Sequence, residues 1–178
     1  ELEFGKAAFM ALPKLKSIVL PEGLTVIGES CFKFENKGFA PALSSVTLPS
    51  TLKRIEAYAF NGFQEVMTSI VFPAGIEYIG ESAFGLTRIK DVYFTGIVPP
   101  VVAPDAFEWN GKQRSAGVGK IVFCTGAQGA KAWAKSGVFQ NLGATAYYLD
   151  TDKSWTEEAK RSMGASLSWE ARSEEHTS

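Results

Sequence analysis

Apolar positions along this 178-residue chain come in short alternating bursts, not in long stripes. Ile18-Val19-Leu20, Val46-Thr47-Leu48 and Ile70-Val71-Phe72 each run straight into a proline: Pro21, Pro49 and Pro73. Val92-Tyr93-Phe94 and Ile121-Val122-Phe123 repeat the triplet, with Thr95 and Cys124 where proline stood. Period-two alternation predicts a short strand whose outer two residues face inward. Proline, lacking an N–H, stops it. Leu24, Leu52 and Ile76 follow, then Ile27, Ile55 and Ile79 three residues later, which predicts a second, looser inward-facing segment. Each unit closes on a small residue and a phenylalanine: Ala8-Phe9, Cys31-Phe32, Ala59-Phe60, Ala83-Phe84 and Ala106-Phe107. The Phe spacings are 23, 28, 24 and 23 residues. The residue five before each Phe is always apolar: Phe4, Ile27, Ile55, Ile79 and Val102.

One unit therefore reads I-x-L-P-x-x-L-x-x-I-G-x-x-A-F. The glycine (Gly5, Gly28, Gly80) is expected to permit a turn with positive φ. No unit of this length can bury its own apolar face. Units stacked at the strand spacing of about 4.8 Å bury a continuous core. Three departures are local: an insert at Lys33–Ala42, a Pro-rich path at Ile97–Pro104, and a polar stretch at Glu108–Gly119.

This pattern resembles the BspA-type (Treponema-type) leucine-rich repeat family over about residues 1–149. Five Phe anchors and five strand triplets hold register together. The resemblance implies a repeat solenoid: a leucine-rich-repeat-like right-handed superhelix of short parallel strands with short helical or irregular turns. It also implies a C-terminal helical cap, placed at about 126–149. Ala127–Ser136 has helical composition, and Trp133 and Phe139 are expected to cover the last coil, with Ala146–Leu149 as a closing strand.

Glu1 already lies inside a unit, so the array is expected to be truncated at its N-terminus, with an apolar end left open. Residues 150–171 are expected to form a linker and an amphipathic helix that docks on the array or begins another domain. Ser154 and Glu157 have capping-box spacing, and Trp155, Ala159, Met163 and Leu167 form one stripe. Residues 172–178 (RSEEHTS) resemble translated adapter sequence and read as a non-native tail; the alternative is a native polar tail.

Composition then narrows the chemistry. Eighteen basic residues against nineteen acidic leave no electrostatic footprint for nucleic acid. No apolar run approaches the roughly 20 residues that span a bilayer, so no membrane insertion is expected of this segment. The single histidine, His176, falls in the tail, so neither a Ser-His-Asp nor a Cys-His arrangement has its base. Cys31 takes an Ala slot and reads as core filler; Cys124 lies about four coils away, near 20 Å at strand spacing, too far for a disulfide. Gly126–Lys131 and Gly117–Lys120 fail the phosphate-loop pattern and read as turns. Asp150 and Asp152 read as linker, and Glu29 and Glu81 as a solvated face. No enzyme activity, cofactor or metal is expected.

What remains is surface. The middle residue of each triplet points outward, giving a ladder of Val19, Thr47, Val71, Tyr93 and Val122. Ser17, Ser45, Ser69, Asp91 and Lys120 run beside it, and the second segment shows Val26, Arg54 and Tyr78. An exposed apolar ladder with Tyr93 and Tyr78 as anchors suggests a binding face. The partner expected is an unidentified protein or glycan. The resemblance implies an extracellular or cell-surface module for adhesion or host and matrix contact. The alternatives are an accessory binding region of a larger enzyme and a structural spacer.

Overall fold

A computed structural model of the chain describes residues 1–12, 14–35, 42–63, 67–87, 89–96, 98–107, 118–123, 133, 139–140 and 143–173. The predicted triplets form strands β2 (Ser17–Val19), β4 (Ser45–Thr47), β6 (Ser69–Phe72), β8 (Asp91–Phe94) and β10 (Lys120–Phe123). β2 pairs with β4, and β6, β8 and β10 pair in turn, all parallel. Ile70, Val92 and Ile121 share one buried register row. The second segment is a sheet in its own right. β1 (Leu2–Phe4), β3 (Leu24–Ile27), β5 (Arg54–Ile55), β7 (Tyr78–Ile79) and β9 (Val101–Val102) pair in that order, again parallel. Within the Pro-rich path β9 keeps its place, because Val102 pairs with Ile79 and is 1% exposed.

Between the sheets lie two aromatic columns. In the first, Phe9, Phe32, Phe60, Phe84 and Phe107 stack in sequence, with centroids 5.2, 5.1, 5.3 and 5.6 Å apart and ring planes within 15° of parallel. In the second, Phe72, Phe94 and Phe123 stack at 5.2 and 6.0 Å. The spacing is the strand repeat plus a small offset, as offset-stacked rings prefer. The corner that carries each Phe is bonded coil to coil. Phe9 N donates to Cys31 O, Phe32 N to Ala59 O, Phe60 N to Ala83 O and Phe84 N to Ala106 O, at 2.7–2.8 Å.

Glycine's role at this corner differs from the expected one. Gly28 and Gly80 do not carry the positive φ; it falls two residues on, at Ser30 (56°) and Ser82 (46°), and likewise at Ala7 and Tyr58. Left-handed backbone at a non-glycine costs on the order of 1 kcal/mol, offset here by the coil-to-coil bonds that fix it. Glycine is present because neighbouring coils touch. A Cβ on Gly80 would lie 2.7 Å from Ala57 N, and one on Gly28 2.6 Å from Phe4 O.

Downstream of β10 the sheet continues. β11 (Thr145–Leu149) pairs with β10, and β12 (Ser168–Arg172) pairs with β11 through five register pairs. Ala146–Leu149 is thus not the closing strand; β12 covers it. Between them lies helix α1 (Glu157–Met163), shorter than the predicted stripe. Its N-cap is Thr156, whose hydroxyl accepts from Ala159 N at 3.2 Å, not Ser154. Ser154 instead donates to Asp152 Oδ1, which ties the turn before the helix. Leu167 falls outside the helix and Trp169 inside the strand. Trp169 reaches over Ala146, its register partner, and stacks on Phe123 at 5.9 Å and 16°. Trp133, Phe139 and Trp155 pack against the same end of the second column. Arg172, the first residue of the expected tail, ends β12, and its carbonyl accepts from Asp150 N. His176, Cys124, Gly117, Gly126–Lys131 and the expected cap helix around Trp133 lie outside the described residues.

Three outcomes follow. Phe60→Ala, which removes a 0%-exposed ring from mid-column, should lower unfolding free energy by about 3–5 kcal/mol in urea titration. Gly80→Ala should lower it by about 1–3 kcal/mol, whereas Gly143→Ala, whose Cβ would meet nothing within 4 Å, should change it by less than about 0.5 kcal/mol. Burial pushes the Cys31 thiol up to about 11. The unfolded chain therefore loses this proton first as pH rises above about 9, and stability should fall between there and pH 11. Peptide mapping after alkylation at pH 8 should find Cys31 unlabelled in the folded chain and labelled in denaturant.

Candidate functional site

The two sheets present two outward rows. On the first, register pairing aligns Val19 with Thr47, and Val71 with Tyr93, Val122, Tyr147 and Glu170. The alternation that drives Ile18, Ile70 and Val92 inward forces these side chains outward. Val19 is 76% exposed and Val71 51%; Thr47 is exposed and Tyr93 half-buried. The row continues the outer positions Ser69, Asp91, Lys120, Thr145 and Ser168, which are also aligned in register.

Val122 departs from the expected ladder. It occupies its outward register place but is only 3% exposed. Its register partners on both sides are tyrosines, Tyr93 and Tyr147. Lys120, two residues earlier on the same face, holds its ammonium 5.6 Å from one ring and 5.4 Å from the other. A small side chain between two large ones loses its solvent, so Val122 is the floor of this patch and not a contact residue.

Tyr78 lies on the other sheet, in a row of Glu3, Val26, Arg54, Tyr78 and Val101. Its ring is engaged within the chain: the Arg54 guanidinium sits 4.3 Å from the centroid, in cation–π range. Arg54 Nε donates to Glu56 at 2.7 Å, and that bond, with the charge of Glu56, raises the Arg54 pKa. The six residues singled out in sequence therefore do not form one surface. The structure brings Val71 and Tyr93 together, aligns Val19 with Thr47, buries Val122 and places Tyr78 elsewhere. Tyr147 and Lys120 were missed as a pair. The signal was present, since Ala146-Tyr147-Tyr148 repeats the triplet alternation that places Tyr93 and Val122 in the middle.

The corner face is polar, as expected of Glu29 and Glu81. Lys6 pairs with Glu29 at 3.0 Å, and Tyr58 Oη donates to Glu81 at 2.9 Å, which raises the Tyr58 pKa. Ser82 Oγ donates to Asp105 at 3.2 Å. Near the first proline turn, Ser50 donates both its N–H and its hydroxyl to Glu22, lowering that carboxyl's pKa. At the far end, Lys160 donates to Tyr148 Oη and Glu157, both at 3.0 Å, which raises the Lys160 pKa and pins α1 to β11. Apart from Lys160 to Glu157, which lies within α1, these bonds join segments far apart in the chain. Among the described residues no group of three or more His, Cys, Asp or Glu is placed to hold a metal ion. Among them, too, no helix is long and apolar enough to cross a membrane.

Comparison with known proteins agrees with this geometry. The BspA type leucine rich repeat region matches residues 2–107, in six copies. No curated protein matches the chain. Among solved structures, the crystal structure of the T. pallidum leucine rich repeat protein is similar, with a TM-score of 0.57 and 20% sequence identity. That likeness covers 94% of this chain and 80% of the other, and at such identity it speaks for the fold alone. Repeats matched over more than half the length, stacked coil on coil around a phenylalanine column, show that the chain belongs to the BspA type leucine rich repeat family.

Proposed function

We propose that the chain is a non-catalytic recognition module that binds a protein partner across the face of β6, β8, β10 and β11. Parallel strands stacked at about 4.8 Å make a surface with little freedom, so binding loses little conformational entropy. Chemistry by turnover has no support in the groups on this face: Ser69, Asp91, Lys120 and Thr145 lie beside tyrosines, with no histidine or thiol among them. The observation that carries the reading is Val71. A β-branched apolar side chain half in solvent, next in register to Tyr93, provides the apolar and aromatic anchors that dominate protein interfaces.

Family membership supports a setting on a cell surface or in the secreted space, with adhesion or contact to host and matrix proteins as the role. A flat face with tyrosines could also receive a glycan, and a structural spacer or an accessory region of a larger enzyme would use the same stack. The exposed Val19 and Val71 favour a protein over either, because sugars gain little from aliphatic side chains and a spacer needs no such row.

The test is binding of the chain to an immobilised panel of matrix proteins alongside a glycan array. At least one protein should bind. Val71→Asp and Tyr93→Asp should each weaken that binding about tenfold or more, with the thermal midpoint kept within a few degrees. Retention of full affinity in both folded variants, or a response confined to glycans, would overturn the assignment.

A further inference from the structure

Several of the described lysines and arginines close on a carboxylate, Lys33 on Glu35 among them. Lys6 meets Glu29 at 3.0 Å, Lys53 meets Glu77 at 3.6 Å, Arg54 meets Glu56 at 2.7 Å, and Lys160 meets Glu157 at 3.0 Å. Lys120 does not follow them. Its register neighbour on β8 is Asp91, the geometry at which opposite charges usually close. Yet no carboxylate oxygen of the described residues lies within 4.0 Å of the Lys120 ammonium. The side chain leans away from the row of Asp91 and over the next, between the rings of Tyr93 and Tyr147.

We infer that Lys120 is the charge anchor of the recognition face and takes the carboxylate of an Asp or Glu side chain on a protein partner. The inference rests on the reading of that face given above. Two rings attract the ammonium, and among the described residues no hydrogen-bond acceptor takes its three donors. The rings also hold it in place beforehand, which lowers the ordering cost of a charge-assisted hydrogen bond. Val122, buried beneath, keeps the floor dry and strengthens the attraction.

Geometry also constrains the partner. The Lys120 ammonium, drawn over the row of Val122, lies two strands from Val71, about 9.6 Å at the strand spacing. An extended partner rises about 3.3 Å per residue. Its acidic residue on Lys120 and an aliphatic residue on Val71 should therefore stand two to four positions apart.

The probe is a random dodecapeptide display library selected on the immobilised full chain, followed by calorimetry of synthetic copies of the enriched peptides. The expected result is a shared Asp or Glu with an aliphatic residue at that spacing. Changing the peptide's acid to its amide, or Lys120→Gln in the chain, should each weaken binding about tenfold, and both together no more than either alone. Lys120→Arg, which keeps the charge over the rings, should restore most of the affinity, and far-ultraviolet dichroism checks that each variant folds. The inference is overturned by peptides without a common acid, by no enrichment at all, or by selective capture of acidic glycans. Should Lys120→Gln leave affinity unchanged while Val71→Asp removes it, the anchor is wrong and the face stands. Should neither variant matter, both readings fall.

Discussion

The stacking of one phenylalanine on the next is the interaction on which the rest depends. A single coil turns a handful of side chains inward, Ile70, Phe72, Ile76, Ile79, Ala83 and Phe84 in one of them, and cannot dry its own interior. The Phe9-to-Phe107 column solves this by giving every coil the same ring at the same place, about 5 Å from its neighbours. The column fixes the coil repeat at the distance backbone hydrogen bonding already requires, so rings and strands reinforce one register. Gly28 and Gly80 sit where a Cβ would meet the backbone of the preceding coil, while Glu56 and Ala103 hold the same corner in other coils.

The two ends of the stack differ in how they meet this demand. At the first coil, Phe9 and Met10 remain 37% and 44% exposed, and the ring of Phe9 has a partner on one side only in the column. Beyond Phe123 the packing partners are tryptophans. Trp133, Trp155 and Trp169 crowd around Phe123, with Trp155 only 4% and Trp133 only 3% exposed. Ala146 shows the trade: a small residue on β11 makes room for the indole of Trp169 to reach down to Phe123.

Much of this was legible in the sequence, for a physical reason. Repetition averages out the ambiguity of any one short apolar run, so Ile70-Val71-Phe72 is uninformative alone and decisive as one of five. The same logic explains the failures. Residues 150–172 occur once, and a four-residue apolar spacing from Trp155 to Leu167 reads as a helix when nothing aligns with it. In the fold, only Glu157–Met163 is helical, and Trp169 belongs to a strand. The glycine argument failed because sequence shows that a backbone is unusual at a corner, not which residue carries the unusual dihedral. The coil-to-coil bonds of Ser30 N to Ala57 O and Tyr58 N to Glu81 O impose that dihedral on residues with no preference for it.

The surface was legible in direction and not in exposure. Alternation placed Val19, Val71, Tyr93 and Val122 on the outside correctly, since period two is set by the backbone. Whether an outward side chain meets water depends on its neighbours in the adjacent coils, which lie more than twenty residues away in the chain. Val71 and Val122 are the same residue at the same position of the unit. One is 51% exposed and the other 3%. The difference is that Val122 has tyrosines on both sides and Val71 has one on a single side. A ladder in a solenoid is thus a two-dimensional pattern. Its chemistry is decided across the strands, and it is there, between Tyr93 and Tyr147, that a lysine with a nearby aspartate ends up facing solvent over two rings instead of closing an ion pair.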